Sequence, residues 1–123
     1  MEGAVGIIFN PDRSGVLLIK RRDVPIWVLP GGGIEPNETP EAAVIREIHE
    51  ETALEVSIKR KIAHYTAVNR LTTPSHLFEC VITKGVPKTT DETAGIGFFP
   101  LKTLPHPFLK TYLNVGTSTE QYC

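Results

Sequence analysis

A chain of 123 residues, 41% of them hydrophobic, holds material for one core and leaves no room for a second domain of ordinary size. The net charge of -1 excludes a broad electrostatic pull toward nucleic acid or an anionic membrane, so a polyphosphate ligand must be held by a metal or by a few placed cations. Cys80 and Cys123 lack CxxC spacing, no basic leader precedes an apolar core, and no apolar run approaches the roughly 20 residues of a bilayer span, so a reduced, cytoplasmic setting without a membrane is expected.

Ala4 to Phe9 is a short apolar run closed by Asn10-Pro11-Asp12 and Ser14-Gly15. This turn chemistry separates it from a second run, Val16 to Lys20, and the two are expected to form a strand pair. Arg21 and Arg22 close the second run; a solvated strand edge and phosphate binding, which the Arg fork suits, both account for them. Asp23 to Pro25 makes a brief turn before Trp27-Val28-Leu29, a short strand that Pro30 ends. Gly31-Gly32-Gly33 then permits positive φ angles and a close approach by ligand or metal.

Thr39-Pro40-Glu41 reads as an N-cap, a proline at the first helical position and an acid in the first turn, which predicts a helix from Pro40 to about Thr52. Ile45 and Ile48, with Ala42 nearby, are expected on its packing side. Glu47, Glu50 and Glu51 stand at i, i+3 and i+4, neighbours on the other side. Three carboxylates on one face repel each other, and a single Glu-to-Lys exchange would relieve them. The cluster is therefore read as a site for a hard divalent cation such as Mg2+, which prefers oxygen ligands. Arg46 lies on a flank from which it reaches Glu50 one turn later or a preceding loop acid such as Glu38.

Leu54 to Ala67 alternates loosely and reads as one long or broken strand with a bend at Lys59-Arg60-Lys61, in which His64 and Tyr65 are sheet residues. Val68 to Ser75, with Asn69, Arg70, Thr72, Thr73 and Pro74, has the composition of a substrate-facing rim. Leu77 to Thr83 is a strand, and the polar loop from Lys88 to Ala94 carries Asp91 and Glu92, placing a further carboxylate within reach of the helix. Ile96 to Phe99 is a last short strand, Pro107 to Leu113 a short helix, and the polar tail 114–123 is expected to fray.

Gly32, five residues, Glu38, seven residues, Arg46-Glu47-Ile48-His49-Glu50-Glu51, one residue, Ala53-Leu54: this spacing resembles the Nudix box of the Nudix (MutT-like) hydrolases. The box spans residues 32–54 and departs from the family pattern at one fixed position, Ala53, where the family has glycine. Leu29-Pro30-Gly31-Gly32 before it and Phe99-Pro100-Leu101 with Leu104-Pro105 after it extend the resemblance. A left-handed cap costs alanine on the order of 1 kcal/mol, so the helix is expected to end differently or to run slightly longer.

The resemblance implies an α/β chain with the Nudix fold, an α/β/α sandwich around a mixed sheet, as a single domain over 1–123. It implies hydrolysis of a nucleoside diphosphate linked to a group X, with water attacking phosphorus. Glu47, Glu50 and Glu51 would be the main Mg2+ ligands, with Mn2+ as a substitute and Gly31 as a further ligand through its carbonyl. Arg46 would orient the acids and Glu38 would support the loop. The catalytic set is then Glu47, Glu50, Arg46 and Glu92, with Glu47 first in line as ligand or base, Glu92 the loop candidate and Asp91 third. Arg22, Arg70 and Gly32 are the substrate-binding candidates; Trp27, Tyr65 and Phe78 fit either base stacking or the core. Tyr65 comes too early and Pro74 too late to match a subfamily substrate signature. A homodimer is left open as a partner, and a nucleotide-binding module without turnover is the alternative activity.

Overall fold

The protein is described here by a computed structural model covering residues 2–65 and 74–103. In chain order its elements are β1 (Gly3–Ile7), β2 (Gly15–Arg21), β3 (Trp27–Val28), β4 (Gly31–Gly33), α1 (Pro40–Thr52), β5 (Glu55–Tyr65), β6 (Ser75–Lys84) and β7 (Thr93–Pro100). They form a mixed sheet in the order β4-β1-β6-β5, in which β1 and β6 run parallel, and an antiparallel sheet in the order β3-β2-β7. Arg70, the Leu104–Pro105 step, the expected helix at 107–113 and the tail 114–123 lie outside the described residues.

β1 is buried along its whole length because both of its faces are covered. Its alternate residues divide between two cores: Ala4 packs with Val44, Ile48, Phe78 and Cys80 beneath α1, while Val5 and Ile7 pack with Val16, Leu18, Leu29 and Leu77 toward the second sheet. Leu17 of β2 and Ile96 of β7 join the core beneath α1, so both sheets pack toward the helix.

This arrangement overturns the expected pairing of the first two runs. Asn10 to Gly15 does form a tight turn, with the Asn10 N–H donating to Gly15 O at 3.0 Å, but the strands diverge beyond a single bridge, Phe9↔Val16. β1 needs hydrogen-bonding neighbours on both edges and takes β4 and β6; β2 takes β3 and β7. Turn composition reports the reversal, and the covering of two faces decides the partners.

The helix has the predicted ends. Thr39 Oγ1 accepts from the Ala42 N–H at 3.1 Å, and Ala53 closes the last turn at φ 65°, ψ 11°, its N–H donating to His49 O at 2.9 Å. Alanine therefore holds the left-handed position that glycine fills in the family, and the helix neither lengthens nor ends differently. The packing face is rotated from the expected one. Val44, Ile48, Thr52 and Glu51 form the buried arc, while Ile45 and Ala42 are exposed, because stepping 100° per residue from Ile48 brings Val44 and Glu51 to one flank and Ile45 to the other. β5 is long, and its register shifts between Ile58 and Arg60 and again between Lys61 and Ala63, where the Lys59–Lys61 bend was expected. No helix among the described residues is long and apolar enough to cross a membrane.

Candidate active site

The rotation of α1 determines what its carboxylates experience. Glu50 is exposed, Glu47 is partly buried, and Glu51 is only 9% exposed, wedged between the helix and the β4 edge. The Gly31 N–H donates to Glu51 Oε1 at 2.9 Å. Burial pushes the Glu51 carboxyl up to about 8; the Gly31 hydrogen bond opposes this, and the charges of Glu47 and Glu92 add to it. Glu47 is raised as well, first by burial and further by Glu50 and Glu92, against the pull of Arg46. Both shifts have the same cause, burial of carboxylates beside one another with little positive charge near them.

A side chain on either glycine beside these acids would collide, on Gly31 with backbone and on Gly32 with the Glu47 carboxylate. A Cβ on Gly31 would lie 2.7 Å from Val5 Cα, and one on Gly32 would lie 2.5 and 2.6 Å from the two carboxylate oxygens of Glu47. Gly32, in β4, is therefore the floor on which the Glu47 carboxylate rests, a close approach of the kind the glycine run permits.

Arg46 organises the opposite flank. Its Nε and Nη2 donate to the two oxygens of Glu38 at 2.7 and 2.9 Å, Nη2 also donates to Gly33 O at 3.0 Å, and Nη1 reaches Glu47 at 3.1 Å and Glu50 at 3.3 Å. This fork holds the Glu38 carboxyl down at about 2, helped by the Glu35 N–H. Both alternatives open to Arg46 from the sequence are realised together: it clamps the 33–38 loop to the helix and steadies two acids of the cluster.

Glu92 reaches the cluster from the other end of the chain. The Thr93 hydroxyl donates to Glu51 O at 3.0 Å, the Lys88 N–H donates to Thr52 O at 2.9 Å, and Arg22 donates to the carbonyls of Thr90, Asp91 and Thr93 at 3.4, 3.1 and 2.8 Å. The 88–93 loop is thereby fastened over the last turn of α1, and ligand oxygens of Glu47, Glu50 and Glu92 all lie within 4.8 Å of one another. Arg22 lines the cleft, with these donors directed at the loop. Thr93, which does much of the fastening, drew no attention in the sequence because a lone threonine carries no motif. Arg21, for which a solvated edge and phosphate binding were both open, lines the cleft in a fork with Asp23 and lowers Glu51 electrostatically.

These groups stand at one end of a cleft of about 790 Å³ between the two sheets, walled by Val5, Ile19, Val28 and Leu29. Trp27 packs edge-on against Phe99, centroids 4.7 Å apart, and Phe78 is fully buried, so both serve the core. The donor set is oxygen-only and crowded with negative charge, which fits a hard divalent cation.

Residues 1–115 match the family model described as NUDIX domain. The chain belongs to the NUDIX family. A relative from Bacillus subtilis strain 168, named an 8-oxo-dGTP diphosphatase, is 39% identical over 111 residues, covering 85% of this chain and 73% of its own. An ADP-ribose pyrophosphatase from Streptococcus suis superposes with a TM-score of 0.76 at 27% identity, over 98% of this chain and 84% of that one. A UDP-X diphosphatase reaches a TM-score of 0.83 at 21% identity, where the likeness concerns the fold; it covers 98% of this chain, and this chain spans 63% of that longer one. The fold is the Nudix fold, and the chain is a Nudix pyrophosphohydrolase domain of a family that generally works with a divalent metal.

Proposed function

We propose that this Nudix domain is a Mg2+-dependent hydrolase that splits the pyrophosphate linkage of a nucleoside diphosphate joined to X, with a nucleoside triphosphate as the favoured substrate. The observation that carries the metal site is the convergence of Glu47, Glu50 and Glu92 from two distant segments beside the buried Glu51. The Bacillus subtilis relative supports the substrate class.

In this reading Glu47, Glu50 and Glu51 hold the ion, with the Gly31 carbonyl as a further donor. Mg2+ supplies the positive charge that neutralises the pyrophosphate oxygens and makes a water nucleophilic at neutral pH. Arg46 keeps Glu47 and Glu50 oriented through its fork to Glu38. The proton from the attacking water goes to Glu92, placed ahead of Glu47 because Glu47 is committed to Arg46 and packed over Gly32, whereas Glu92 is exposed on the anchored loop. Arg22 acts as the anchor of that loop.

The test is a panel of nucleoside triphosphates, nucleotide sugars and dinucleotides incubated with Mg2+, with products separated by chromatography. A nucleoside monophosphate is expected from at least one triphosphate, and Glu50→Gln should lower that rate by about 100-fold or more. Turnover of no substrate with Mg2+ or Mn2+, or equal rates for variant and wild type, refutes the reading.

A further inference from the structure

We propose that Glu2, His64 and His76 form a second metal site, suited to Zn2+, which shares no ligand with the carboxylate cluster, Glu2 standing also in the wall of the cleft. The register aligns them. His64 pairs with His76 across β5 and β6, and Ala4 pairs with His76 across β1 and β6. Ala4 belongs to the core beneath α1, so His76 lies on that side of the sheet, and Glu2, two residues before Ala4, shares its alternation. Two neighbouring strands, β5 and β6, and the residue just before β1 thus contribute one group each.

The two imidazoles stack with centroids 4.0 Å apart and planes 6° from parallel. His76 Nε2 lies 2.6 Å from Glu2 Oε1, His64 Nε2 lies 3.9 Å from the same oxygen, and the three ligand atoms are all within 4.8 Å of one another. Zn–N and Zn–O bonds of about 2.0–2.1 Å in tetrahedral geometry need ligand atoms about 3.3 Å apart, between the two measured contacts. Seating an ion takes an adjustment of less than about 1 Å in each Glu2 contact together with a turn of the exposed His64 ring out of its stack on His76, so that both nitrogen lone pairs meet. Two imidazoles and one carboxylate suit Zn2+ or Co2+ and are a poor set for Mg2+.

His76 is the buried anchor, its side chain 11% exposed, while His64 and Glu2, at 42% and 49%, leave a way in from solvent. Lys61 Nζ sits 2.9 Å from His76 Nδ1. An ammonium can only donate there, so His76 carries its proton on Nε2 and donates it to Glu2. Metal entry at Nε2 moves that proton to Nδ1 and releases Lys61 on its flexible stem. The ion would tie the start of β1 to the β5–β6 hairpin, and Lys61 would compete with it.

Chelator-treated protein is titrated with Zn2+ in excess Mg2+, which saturates the carboxylate cluster, and followed by calorimetry, with Co2+ absorption reporting geometry. One equivalent of Zn2+ should bind and raise the melting temperature by roughly 5 °C or more. His64→Ala, an exposed change that preserves the fold, should weaken binding by about 100-fold; Lys61→Met should tighten it by up to about 10-fold; Glu50→Gln should leave it unchanged. Failure of the Mg2+-saturated wild type to take up Zn2+, or undiminished binding by His64→Ala, overturns the proposal. So does loss of binding in Glu50→Gln.

Discussion

Glu51 links metal binding, pH and stability, and Glu51→Gln isolates that link. In the metal-free protein its folded pKa, about 8, stands above the ordinary 4.5. Between those values the native state holds a proton that the unfolded chain has released, so stability falls as pH rises. The contribution is fully present below about pH 4.5 and is lost as pH passes through 8. The whole shift sets a ceiling of about 4–5 kcal/mol, and water in the cleft and local relaxation reduce this to about 2–3 kcal/mol. Gln keeps an oxygen for the Gly31 N–H and cannot ionise, so Glu51→Gln should match wild type near pH 5 and exceed it by about 2–3 kcal/mol at pH 8.5 without metal. The fork on Glu38 acts with the opposite sign, stabilising above its unfolded pKa, but its window from about 2 to 4.5 lies below this range. Urea denaturation of both proteins across pH 5–8.5, in chelator and then in Mg2+, makes the measurement. With Mg2+ the order should reverse at pH 8.5, because the variant lacks one carboxylate of the set and gains less of the ion's binding energy. Parallel pH dependence of the two proteins in chelator refutes the account of Glu51 as the buried, proton-holding acid of the cluster.

Two further changes separate geometry from folding. Gly32→Ala pushes a methyl into the Glu47 carboxylate, the end of a flexible side chain, so the melting temperature should move little while turnover falls by about 10-fold or more; unaltered kinetics would show that the position of Glu47 is unimportant. Ala53→Gly relieves a left-handed alanine at φ 65° and should stabilise the fold by about 0.5–1 kcal/mol, read as a rise of roughly 2–5 °C in melting temperature; a fall would mean that the cap carries no strain.

The Gly32-to-Leu54 spacing was enough to place a capped helix with its acids within one turn and a half, and to pair Arg46 with Glu38, because these are relations between near neighbours on a repeating geometry. The same local reasoning misjudged the packing face. Ile45 is as apolar as Ile48, and only the sheet beneath α1 selects Val44 and Ile48 for burial and leaves Ile45 in water. The pairing of the first two runs failed for the same kind of reason: a turn at Asn10 is local, while the claim of β4 and β6 on β1 is not.

What the sequence by itself determined was an inventory with a register: three glutamates clustered near the end of one helix, a glycine run ahead of them, an arginine to steady them and an acidic loop downstream. The tertiary structure alone decided that Glu51 lies buried against the β4 edge, where burial raises its carboxyl pKa, that Gly32 is the floor under Glu47, and that Thr93 and Arg22 fasten Glu92 over the helix. The first set follows from 3.6 residues per turn. The second depends on desolvation and on contacts between segments some forty to seventy residues apart, which no short-range pattern encodes.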